Sequence, residues 1–104
     1  MLLRHATLAR NLNSILRRGL LTAKSRGKLA AVWACGRAQT WWAALHVVLR
    51  HGGRIESTVV LEIDVPLAWL RRNRKGLWYS VLDLPADRIR RVLSFAELAG
   101  ASAA

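Results

Sequence analysis

Along the first twenty residues, apolar and polar positions alternate at helical spacing. Leu8, Leu12, Ile15 and Leu16 fall at i, i+4, i+7 and i+8, one face of a helix, with Arg10, Asn13, Arg17 and Arg18 opposite. Thr7 is the expected N-cap, and Gly19 the expected residue just past the last turn. Residues 2–5 read as a short opening strand, which delivers a polar His5/Thr7 pair at the helix entrance. Residues 22–28 form a polar, basic, glycine-containing loop. The apolar run 29–35, too short for a helix and bounded by Gly27 and Gly36, reads as a buried strand centred on Trp33. From Ala38 the period turns helical again. Thr40 is the candidate cap, Trp41, Ala44, Leu45, Val48 and Leu49 share a face, and Gly52 and Gly53 end the helix. Trp42 and His46 lie on a neighbouring stripe that either completes the core or flanks a cleft.

The second half is strand-rich. Val59, Leu61, Ile63 and Val65 alternate with Val60, Glu62 and Asp64, so residues 57–66 predict a strand with one buried face. Pro66 suits the first position of a short helix through PLAWLRR. The basic cluster RRNRK (71–75) leads to a strand over 77–84, where alternation sends Trp78 and Tyr79 to opposite faces. PADRI makes a turn, and residues 90–95 form a last strand. The small-residue tail 99–104 has no periodicity and is expected to be disordered. Helices and strands are mixed without regular alternation, which predicts an α+β class. At 104 residues there is room for one core, here residues 1–98.

Composition narrows the function. No apolar run approaches the roughly 20 residues of a membrane span, and Arg4 and His5 interrupt any leader-like start, so a cytoplasmic protein is expected. Cys35 is the only cysteine, which removes an internal disulfide and leaves no CxxC pair to hold a metal. Seventeen Lys and Arg against six Asp and Glu give a formal charge of +11. Polyanions are the natural partners of such a surface, and nucleic acid, RNA or DNA, is the expected one.

Several short motifs occur in a telling order: HxT at the end of a strand, NLxxILxxGL in a helix, VVLEIDVP in a strand and LPADRI near the end. In this order they resemble the ADP-ribosyltransferase-like superfamily over roughly residues 2 to 95, nearest to DNA ADP-ribosyltransferase toxins and RNA 2′-phosphotransferases. The resemblance implies a small split, bent β-sheet core with two main helices and NAD held between the first strand, the basic loop and the strand at Leu29. On that basis His5 and Thr7 would hold the cofactor, and Trp33 would flank the nicotinamide where many relatives have tyrosine.

The chain departs from the family pattern at the acid. Breaking an N-glycosidic bond through a cation-like sugar calls for a carboxylate. The family's glutamate precedes the final LP turn by about seven residues, a count that lands on Trp78 in this chain. Relatives of the phosphotransferase kind dispense with this glutamate, because an RNA phosphate gripped by basic groups makes the attack. By that likeness the catalytic candidates are Arg4 and His5. Arg26, Arg37, Arg71, Arg72, Arg74 and Lys75 are the candidates for holding nucleic acid. Glu62 or Asp64 could point into the cleft or simply face solvent. A second class of function fits the same residues: a basic nucleic-acid-binding or protein-interaction module whose transfer machinery is lost, with tryptophans as stacking platforms.

Overall fold

The computed structural model describes residues 1–25 and 29–98; Arg26 and the tail 99–104 lie outside the described residues. The order is β1 (Leu2–Leu8), α1 (Leu12–Arg18), β2 (Val32–Ala34), α2 (Thr40–His51), β3 (Thr58–Asp64), β4 (Leu70–Arg72), β5 (Trp78–Ser80) and β6 (Ile89–Ser94), with short 3-10 turns between several of them. This is an α+β protein. Its strands form two antiparallel three-stranded sheets, β1-β3-β6 and β2-β5-β4. The sheets touch through one backbone bridge: the Arg4 amide donates to the Cys35 carbonyl and the Cys35 amide to the Arg4 carbonyl, both at 2.8 Å. Beyond that pair β1 and β2 diverge, and the six strands form a split row in the order β4-β5-β2-β1-β3-β6. No helix among the described residues is long and apolar enough to cross a membrane.

β3 is the centre of the first sheet, which corrects the expectation of one buried face. Leu61 and Ile63, fully buried, join Leu3, Val32, Ala34 and Leu70 in the layer between the two sheets, whereas Val60 packs with Leu93 and Leu98 on the other side. α2 packs on β1 and β3. Period-two alternation is the same whether one face or both are covered, so the sequence pattern alone could not separate the cases. Each of these valine, leucine and isoleucine side chains contributes roughly 1.5–3 kcal/mol through burial.

The first turn of the chain also differs from its reading. β1 continues through His5 and Thr7 to Leu8, because β3 supplies a partner at every position, from Leu2↔Asp64 to Leu8↔Thr58. α1 therefore starts only at Leu12, after a 3-10 turn, and its cap position is Asn11. Thr7 is buried in the strand and caps nothing. Gly19 does end α1, at φ 82°, and it must be glycine for a second reason: a Cβ there would lie 2.1 Å from the Leu84 carbonyl oxygen. This close approach lets Leu20 and Leu84 exchange backbone hydrogen bonds at 2.9 Å.

α2 docks through its small residues. Thr40 and Ala44 are its buried positions, while Trp41, Trp42, Leu45 and Leu49 are exposed, Leu49 to 70%. The predicted apolar face is thus displaced by about one residue, about 100° of helix rotation, since a helix lying close on a sheet needs small side chains at the contact. Trp42 is not core; its ring lies 4.0 Å from that of His46, centroid to centroid, at the surface. Pro66 leads into a single 3-10 turn, Leu67–Trp69, and not a longer helix, because Leu70–Arg72 pair with β5. β5 in turn is only three residues long. After it the Ser80 hydroxyl donates to the Leu82 carbonyl and accepts from the Leu82 amide, turning the chain toward Leu84.

Candidate functional site

Two sets of side chains leave β1 on opposite faces, and this separation decides how the candidate residues group. Leu3, His5 and Thr7 stand opposite Ile63, Leu61 and Val59 of β3, on the face turned toward the second sheet. His5 sits at the seam where the sheets split. Its Nδ1 lies 2.6 Å from the Trp33 carbonyl oxygen. A carbonyl only accepts, so Nδ1 carries the proton and, in the neutral ring, Nε2 keeps its lone pair. Burial holds the imidazole below its ordinary pKa, opposed by the bond to Trp33. Thr7 has a local role: its Oγ1 accepts from Asn11 Nδ2 at 3.3 Å, tying the end of β1 to the turn before α1.

Trp33 lies between buried Val32 and Ala34, so its side chain leaves β2 on the opposite face. There it meets Tyr79, its register partner on β5, with ring centroids 5.0 Å apart and planes tilted by 39°. Both rings are half-buried. Arg71 is the register partner of Tyr79 on β4, but its guanidinium donates to the Ala68 and Leu70 carbonyls. The sequence sends Tyr79 to the face opposite Trp78 without giving it a partner. Its pairing with Trp33 comes from strand register, which no local pattern encodes.

Arg4 does not join His5. Adjacent residues of a strand point to opposite faces, and Arg4 extends toward α2, where its Nη1 donates to Thr40 Oγ1 at 3.1 Å. With Arg37 and Arg91 it lines two adjoining clefts of about 260 and 290 Å3. Arg91, also missed from sequence, reaches Glu62 Oε1 at 3.4 Å across the β3–β6 ladder. The side chains of Arg4 and His5, the catalytic candidates, thus stand on opposite faces of β1 with the strand backbone between them.

The 71–75 cluster is likewise divided. Arg72 pairs with Trp78 and places its guanidinium 4.7 Å from the centre of that ring, while its Nε donates to the Gly76 carbonyl at 3.1 Å. Asn73 Oδ1 accepts from the amides of Lys75 and Leu77 and shapes the β4–β5 turn, leaving Arg74 and Lys75 exposed at its tip. Trp78 itself packs against the core between the sheets, opposite Ala34. The position that the resemblance gives to a glutamate is a structural indole in this protein.

All six carboxylates can be placed. Glu62 pairs with Arg91. Asp64 takes the Met1 ammonium at 3.3 Å and Arg90 at 3.2 Å, and those two bonds, in that order of weight, hold it below its ordinary pKa. Asp83 accepts from the backbone amide and hydroxyl of Thr22 at 2.8 and 2.9 Å. Glu56 and Asp87 are exposed in 3-10 turns, and Glu97 lines the cleft beside α2. None of them is among the groups that shift His5. No family model matches this chain, and no curated protein matches it.

Proposed function

We propose that this protein is an ADP-ribosyltransferase-like domain that binds NAD at the seam between its sheets and engages nucleic acid with its basic surface. The observation that carries the reading is the split between β1 and β2 with the His5 imidazole held on the Trp33 carbonyl at its mouth. The resemblance calls for such a split, with a histidine from the first strand and an aromatic from the second beside it. The tilted Trp33–Tyr79 pair, on the other face of β2, presents an aromatic edge against which a heteroaromatic ring reaching over the strand can pack. The neutral imidazole offers one acceptor, Nε2, to a ribose hydroxyl.

These groups fit the binding half of such a cofactor. The charge-stabilising half has no counterpart, since no carboxylate acts on His5 and Trp78 occupies the expected position. That second observation favours a binding role without transfer, in which NAD or the nucleic acid is held and not cleaved. Thermal denaturation with millimolar NAD tests the reading: a ligand of the native state raises Tm, and His5→Ala abolishes the rise. No rise in the parent protein refutes NAD binding. Release of nicotinamide from NAD in the presence of RNA or DNA separates the two roles, and its absence alongside a thermal shift supports binding alone.

A further inference from the structure

We infer that the clefts lined by Arg4, Arg37 and Arg91, on the face of β1 opposite His5, are a phosphate-binding site for the backbone of single-stranded nucleic acid. The inference deepens the nucleic-acid half of the reading above and does not depend on NAD binding.

Arg4 is the starting point. It is half-buried, yet among the described residues its side chain makes one hydrogen bond, to a neutral hydroxyl, and has no carboxylate partner. A guanidinium carries five N–H donors and is costly to desolvate without an anion. Arg37, exposed on the same clefts, has no side-chain hydrogen bond or ion pair among the described residues. Both lie at the start of α2, a helix of 12 residues whose N-cap position, Gln39, makes no side-chain cap. The positive end of its dipole adds to the two guanidiniums. Trp41, on the second cleft, meets Phe95 edge-on at 5.4 Å and brings an indole to the rim. A stacking surface beside a phosphate site favours a nucleotide polymer over a bare anion.

Glu62 on the first cleft and Glu97 on the second oppose anion binding, and Glu62 acts through Arg91. It neutralises Arg91 and repels any anion entering the first cleft. Removing its charge therefore frees one arginine and removes one repulsion, a change in the opposite direction from loss of an arginine.

The experiment is fluorescence anisotropy with a labelled single-stranded oligonucleotide of about 16 nucleotides, titrated at several salt concentrations. Arg37→Gln combined with Arg91→Gln lowers the slope of log K against log salt by about 2, one for each lost phosphate contact. Glu62→Gln raises affinity several-fold. The NAD thermal shift is the same in all three proteins, which separates this site from the seam. An unchanged slope in the double variant, or weaker binding by Glu62→Gln, overturns the proposal. Pyrophosphate is the competing probe: if it displaces the oligonucleotide at equal concentrations of phosphate, the assignment to a polymer is wrong.

Discussion

His5 donates a hydrogen bond from Nδ1 to the Trp33 carbonyl at 2.6 Å, so one residue from each sheet is joined where the two sheets part. Burial of the ring, which outweighs the opposing bond to Trp33, makes the seam sensitive to protonation. The folded ring binds a proton less readily than the ordinary imidazole of 6.5, so the unfolded chain takes up the proton first as pH falls. The contribution of the neutral ring to stability is therefore fully present above about pH 6.5 and declines as pH falls below it. His5→Gln removes this dependence. Urea denaturation at pH 7.5, 6.5 and 5.5 should show a decline in the parent protein that is flattened in the variant; parallel declines would refute the shift.

Gly19 and Gly36 predict opposite outcomes for the same substitution. At Gly19 a methyl group meets the Leu84 carbonyl at 2.1 Å on a backbone with φ +82°, whereas at Gly36 nothing lies within 4 Å and φ is −74°. Gly19→Ala should cost about 1–3 kcal/mol, lowering Tm by roughly 5 °C or more. Gly36→Ala should stay within about 0.5 kcal/mol.

Two leucines separate the real core from the expected one. Leu61 has 0% exposure in β3, and Leu49, placed by helical period on the inward face of α2, is 70% exposed. Leu61→Ala is expected to destabilise by about 2–5 kcal/mol and Leu49→Ala by no more than about 0.5 kcal/mol. Chemical denaturation midpoints of the two variants check the ordering.

Asp83 secures the segment after α1 through Thr22. The Thr22 amide, then its hydroxyl, holds the carboxyl below its ordinary 3.8. The contact is therefore fully present above about pH 3.8 and lost as pH falls below it. Asp83→Ala should speed hydrogen exchange at the Thr22 amide at neutral pH, and Asp83→Asn, which keeps an acceptor, should preserve protection. Equal exchange in both variants would show that the carboxyl does not cap this turn.

Period and punctuation in the sequence located most elements. The alternation from Val59 to Ile63 found β3, and Gly19 and Gly52 ended both helices where expected. The misses share a cause: they depend on partners remote in sequence. Thr7 reads locally as a helix cap, but a ladder with Val59 keeps it in β1. Trp41 and Leu45 look inward by period, but Thr40 and Ala44 allow the closer approach. At the site, His5 meets Trp33 through its backbone carbonyl, with the indole on the other face of β2 against Tyr79, and Arg4 leaves β1 opposite His5 by an alternation that the strand read over residues 2–5 already contained. Tyr79 and Arg91 were unreadable because each owes its place to register, Tyr79 with Trp33 and Arg91 with Glu62.

The pairing of β1 with β3 has a consequence for synthesis. Leu2 finds its ladder partner only at Asp64, and β3 is not covered on its other edge until Leu93 and Ser94 have been made. A growing chain thus leaves the ribosome with its central apolar strand unpaired along one edge until β6 has been made. Contacts of such long range close slowly, and fragments ending before β6 would expose a ready template for aggregation.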